Sequence, residues 1–343
     1  MSGKPAIETT SWLDHLFRRI EALPFKPWVT YLLLYFGFVI SFQLIAWLDG
    51  LRALGDFSIT TFFNPVWVPA GLAGIHYLNT EGRRALKGFR PVMDTDEEEF
   101  RMIQTQMSTI PQPVVLSIQA LVGLALFLVA RTNPARLSSE LQPGTATLWF
   151  AVIFMTLGFS NLFIYFYQTF RRLKLVSRVY SMVKQINIFE QQPLYTLSAF
   201  NVKIGFVWIL FMNLNIVAFV LQTGPQATTF PLMFIEILLV ILVFLFPAWG
   251  IHNRIQRAKE VLLTENGRQL EATNSKLNIS LQENEHKDIV TYEKGVAALV
   301  SMRNEIGKSP TWPWDIGTFR SFLSAVLLPI LLFVIQQFLV GYL

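Results

Sequence analysis

A single carboxylate, Glu236, stands inside the apolar run from Phe230 to Gly250, with Ile235, Ile237 and Leu238 as its neighbours. A charge at that depth in hydrocarbon is costly and usually faces a protein interior or a water-filled path, so Glu236 is the first candidate for chemistry. The orientation derived below places Gln43, Gln336 and Gln337 at a similar depth, while Asn161, Asn213 and Asn215 add amides in two further apolar runs. Such a layer could hold a proton on Glu236, line an aqueous path for ions, or only bond helix to helix at ~0.6 kcal/mol per contact. Asn213 and Asn215 lie two apart on a helix and point about 200° apart, so they cannot both meet one partner. His76 and His252 fall at the ends of apolar runs, where hydrogen bonding is expected ahead of metal binding or proton sensing.

Other chemistry is thinly represented. The chain contains no cysteine, which excludes disulfides, thiolate metal sites and thiol nucleophiles. No phosphate-binding glycine loop, HExxH, G-x-S-x-G or dinucleotide fingerprint is present. The acidic run Asp94, Asp96, Glu97, Glu98 and Glu99 reads as the N-terminus of a helix capped at Thr95, because consecutive helical carboxylates point in different directions and do not converge on one ion. No enzyme, cofactor or metal is expected.

The elements that must position these residues are helices in a bilayer. Of 343 residues, 52% are hydrophobic and 15% charged, the balance of a polytopic membrane protein. About 20 apolar residues cover the ~30 Å hydrocarbon core as a helix, which satisfies its own backbone polar groups. Seven stretches qualify: Val29 to Leu48, Ile59 to Leu78, Val114 to Ala130, Leu148 to Phe170, Ile204 to Leu221, Phe230 to Gly250 and Phe319 to Val340. Pro65, Pro69, Gly71 and Gly74 interrupt the second, which is expected to be kinked or re-entrant and would suit a small-solute transporter. Ahead of the first, Ser11 caps a short amphipathic helix with Trp12, Leu13, Leu16, Phe17, Ile20 and Leu23 on one face, expected to lie on the membrane surface.

Between the sixth and seventh stretches the composition flips, with nine Lys or Arg against eight Asp or Glu from 252 to 308. Leu263, Leu270 and Leu277 recur every seven residues, and Val296 and Leu299 belong to a second stripe, so two helices with narrow apolar seams are expected to form a coiled-coil-like hairpin whose seams drive assembly, by packing on other copies or on the helical extensions after the third and fourth stretches. Its tip falls either at Asn266-Gly267 or, preferred here, at Glu283 to Lys287. Three units follow: a bundle over 1–250, the hairpin over 251–309, and a linker with the last span over 310–343. Trp28, Trp312 and Trp314 are the expected interface anchors.

Of the 28 Lys and Arg, all but Arg52, Arg131 and Arg136 lie in the N-terminal tail and in alternate loops. By the positive-inside rule the N-terminus and the hairpin are then cytoplasmic and the C-terminus faces out, in a plasma or inner membrane. The net charge of +5 is thus an orientation signal, not one for nucleic acid. Arg171, Arg172, Lys174, Arg178 and Lys184 are expected to attract anionic lipid headgroups, with their helix running on past the bilayer. Taken together, these features point to an all-α, self-associating multi-pass protein that forms an ion-conducting or sensory assembly, or else a transporter, or an anchor docking cytoplasmic protein partners. Seven spans with the N-terminus inside and the C-terminus outside resemble the topology of insect chemoreceptor channels, in span count and orientation alone; no site residue follows from that.

Overall fold

The computed structural model describes residues 10–57, 62–137, 141–183, 186–223, 229–283, 286–324, 326–327 and 330–331; within 212–247 and 286–288 not every side chain is included. The chain is all-helical, and among the described residues β-structure is confined to two isolated bridges, Thr10 with Pro111 and Met93 with Val183. The helices are α1 (Trp12–Glu21), α2 (Pro27–Leu48), α3 (Trp67–Phe89), α4 (Glu97–Ser108), α5 (Gln112–Thr132), α6 (Ala146–Ser181), α7 (Gln192–Thr223), α8 (Thr229–Glu283) and α9 (His286–Lys308). A further helix begins at 316. Among the described residues four helical stretches are long and apolar enough to cross a membrane: Pro27–Leu48, Gln112–Thr132, Ala146–Ser181 and Gln192–Phe211.

Ser11 caps α1 as expected, accepting from the Asp14 amide while the Asp14 carboxylate accepts from the Ser11 amide and hydroxyl. The apolar face of α1 turns inward, however. Leu13, Phe17 and Ile20 join the main core, and Asp14 also accepts from the Ile110 amide at 3.2 Å. Trp12 donates through its amide to Gln112 and through its indole to Gln119. An amphipathic stripe reads alike whether it faces lipid or protein, and here protein covers it. A second correction concerns α4, whose cap is Asp96 and not Thr95, with the Asp96 carboxylate accepting from the Glu99 amide at 2.7 Å.

The central element is α3, which packs against α2, α4, α6 and α7. It is unbroken from Trp67 to Phe89, so of the interruptions expected in the second span, Ile59 to Leu78, the one at Pro65 coincides with a 3-10 segment, Asn64–Val66, and those at Pro69, Gly71 and Gly74 do not break the helix; residues 59–61 lie outside the described residues. Pro69 sits in the first turn of α3, where no intrahelical amide is needed. The glycines are points of close approach. A Cβ on Gly71 would stand 2.8 Å from the Asn161 Cβ of α6, and one on Gly74 3.0 Å from the Phe211 ring of α7. Because the Asn161 Cβ cannot yield without its helix, Gly71→Ala is expected to cost about 1–3 kcal/mol. Thermal unfolding in detergent checks this, with Gly37→Ala as a silent control, since nothing lies within 4 Å of that position.

α8 is one helix of 55 residues, ~80 Å long at 1.5 Å per residue, running from the apolar segment into the charged one. It passes through Asn266 and Gly267, so the reversal falls after Glu283, at the preferred tip. α9 returns antiparallel along it: Asn266 donates to the Leu299 carbonyl at 3.1 Å, Gly295 faces Thr273, and Lys259 reaches the carbonyls of Gly307 and Ser309. Leu263, Leu270 and Leu277 are half-buried on the same stripe of α8 as Asn266 and Thr273, and Val296 and Leu299 are half-buried on α9.

Candidate functional site

The polar residues that the bundle brings together are mostly not those expected. Gln43 is buried, and its side-chain amide donates to the Asp56 carbonyl at 2.7 Å, holding the loop that follows α2. Asn161 reaches the Val68 carbonyl of α3 at 3.4 Å, and Asn213 donates to Ile209 one turn back on its own helix. These three amides face three different partners and form no common layer. Gln336 and Gln337, and the side chains of Glu236 and Asn215, lie outside the described residues.

A polar collar forms instead around the C-terminal half of α3. His76, 4% exposed, lies between Tyr31 of α2 and Glu21 of α1, with the Phe17 ring stacked on it at 4.9 Å. Its Nε2 is 3.1 Å from the Glu21 carboxylate and its Nδ1 is 2.8 Å from the Tyr31 hydroxyl. A carboxylate only accepts, so Nε2 carries the proton and Nδ1 accepts from Tyr31 in the neutral ring. Arg83 donates to the same Glu21 oxygen at 2.7 Å. On the other sides of α3, Glu81 pairs with Lys203 of α7, and Asn79 accepts from Arg172 of α6.

Burial pushes the Glu21 carboxyl up, but the hydrogen bonds from His76 and Arg83 outweigh it and hold the group below its ordinary value. A depressed folded pKa gives stability that is present above the unfolded carboxylate range and lost as pH falls through the folded value. Acidification below the ordinary carboxylate range is therefore expected to loosen the hold of Glu21 on α3 and with it α1. Amide exchange of residues 12–21 against pH checks this, and Glu21→Gln should remove that acid dependence.

Arg172 departs from its expected place among headgroups: it is 1% exposed. Its partners are neutral: the Asn79 side-chain oxygen and the Met107 carbonyl. Its Nη1 is buried with no hydrogen-bond partner among the described residues, as are Gln168 Oε1 on α6 and both amide atoms of Asn201 on α7. Two others of the basic set are also held within the fold: Arg171 donates to the Thr109 carbonyl, and Arg178 pairs with Glu99. A guanidinium held among neutral acceptors can orient a buried anion, or lock three helices by hydrogen bonds that are stronger for being charged.

The foot of the hairpin carries a second arrangement. His252 is stacked on Trp312 at 4.0 Å, Trp312 on Trp314 at 4.5 Å, and the Trp249 indole meets Trp312 edge-on. His252 Nδ1 lies 3.0 Å from the Thr311 carbonyl. Of the three tryptophans expected at the interface, Trp28 is 61% exposed, whereas Trp312 and Trp314 are half-buried against their neighbours. Arg254 of α8 donates to the carbonyls of Tyr180 at 2.6 Å and Val183 at 2.8 Å, closing the C-terminus of α6 and tying the hairpin to the bundle.

No group of three or more His, Cys, Asp or Glu among the described residues could hold a metal ion. Fold and site together define a class: an all-helical chain whose polar-collared central helix, α3, is packed by three of the four membrane-competent helices, α2, α6 and α7, while the fourth, α5, packs on α6. Comparison with known proteins goes no further, since no family model, curated protein or solved structure matches the chain.

Proposed function

We propose that the chain is a multi-pass integral membrane protein, its N-terminus and hairpin cytoplasmic and its C-terminus on the opposite side, whose hairpin is a rigid arm through which copies of the protein assemble. The observation that carries this reading is the continuity of α8, in which apolar and charged halves share one uninterrupted helix. A rigid helix that leaves the bilayer transmits any displacement of its outer half to the bundle, and Arg254 fastens its base to the end of α6. The arms also expose large apolar side chains away from the seam, among them Val261, Ile279, Val290, Val300 and Met302. Such groups on a water-exposed hairpin favour contact with another copy.

Reporter fusions at the two termini test the orientation, with opposite sides expected; the same side at both would overturn it. Size measured by light scattering in detergent tests the assembly. Ile279→Glu with Val300→Glu should reduce the particle to a smaller oligomer while leaving membrane insertion intact. An unchanged mass would remove the hairpin from the interface.

A further inference from the structure

A cleft of about 430 Å³ opens at the foot of the hairpin, with Lys259, Trp312, Trp314, Ile316 and Phe319 in its wall. That volume suits a headgroup-sized ligand. We propose that it binds the headgroup of one anionic phospholipid, the phosphate on Lys259 and an acyl chain along the helix that begins at 316; this rests on the membrane reading above.

Among the described residues of the wall, Lys259 alone is charged. Its ammonium has three donors, and two are spent on the carbonyls of Gly307 at 2.6 Å and Ser309 at 2.9 Å, which leaves one for a ligand. A cationic ligand is disfavoured for two reasons. The Lys259 ammonium in the wall would repel it, and both faces of Trp312 are covered by His252 and Trp314. No open ring face of Trp312 remains for a quaternary ammonium.

The tail has a path. Ile316 is 72% exposed, and Phe319, Leu323 and Leu327 follow at helical spacing, all exposed and on one stripe that starts at the cleft. Asp315 caps that helix by accepting from the amides of Gly317 and Thr318, so the stripe is fixed relative to the wall. Polar head in a basic aromatic cleft and apolar tail on an adjoining helix is the arrangement of an interfacial lipid site.

The test is native mass spectrometry of the full chain, purified in mild detergent with equal phosphatidylglycerol and phosphatidylcholine. Wild type should retain one phosphatidylglycerol over phosphatidylcholine by about fivefold, the factor expected for one basic contact. Lys259→Gln should abolish the preference and Lys259→Arg keep it. Because Lys259 also closes the end of α9, Ile316→Glu serves as a second variant that leaves that cap in place, and it should lower retention of both lipids. Equal retention in wild type, a preference surviving in Lys259→Gln, wild-type retention in Ile316→Glu, or a lipid-free dimer with the cleft shielded would each overturn the site. Failure of the chain to enter bilayers at all would instead sink the membrane reading.

Discussion

Arg172→Ala is expected to destabilise the folded protein by about 3 kcal/mol, seen as a lower unfolding temperature in detergent. The truncation removes both charged hydrogen bonds, to Asn79 and to the Met107 carbonyl, and strands two buried acceptors on α3 and at the end of α4. Each such bond is worth roughly 1.5–3 kcal/mol, but the guanidinium itself is desolvated with Nη1 unpartnered, which offsets part of the loss. The expected value therefore sits near the lower end of the sum. Arg172→Met with Asn79→Leu removes the donor and one of its two acceptors, leaving the Met107 carbonyl alone unpaired, and should recover about half of that stability, since apolar groups of similar volume often match a buried polar pair. A double variant no more stable than Arg172→Ala would show that the charge meets something beyond these two partners.

The position of Arg172 was legible from its period and obscured by its type. Tyr165, Thr169, Arg172, Val176 and Val179 recur at three and four residues and are all buried, so the charge lies on the inward stripe of α6. Read as one of a run of basic residues leaving a membrane, it was assigned to the headgroups; read by helical phase, it belongs in the core. The same distinction explains α1. Its stripe was correctly found, but amphipathicity does not say whether lipid or protein covers it, and Gln112 and Gln119, which receive Trp12, are a hundred residues away in the chain. In α3, Gly71 and Gly74 admit the side chains of Asn161, Phe211 and Val207 close to the helix, a use that depends on helices that sequence alone does not place beside it. Apolar length and helix continuation were local properties and were read well: α2, α5 and α6 contain the expected stretches, and α6 runs on to Ser181 as expected. Glu236 remains a reading from sequence, its side chain being outside the described residues.

Leu263, Leu270 and Leu277 replaced together by Ser are expected to open the hairpin. Each leucine is half-buried on the stripe of α8 that meets α9, so each contributes less than the ~1.5–3 kcal/mol of a fully buried side chain, and the three together about 3 kcal/mol. The remaining positions of that stripe do little to compensate. Asn266, Thr273 and Ser280 alternate with the leucines, and although Asn266 is 3% exposed, its side-chain oxygen has no partner among the described residues. A buried asparagine in such a seam costs stability and fixes register, because its amide has one good acceptor, the Leu299 carbonyl, at one alignment. The absence of native cysteine makes the measurement clean: Thr273→Cys with Gly295→Cys, positions in contact across the arms, should cross-link readily in the parent chain. In the triple serine variant the cross-link should slow severalfold while the base at Ile251 and Ile255, buried in the main core, holds α8 in place. Asn266→Leu should act oppositely, raising the stability of the hairpin while permitting cross-links at neighbouring registers. Unchanged cross-linking in the serine variant would mean that the seam does not hold the arms together, and that the charged faces do.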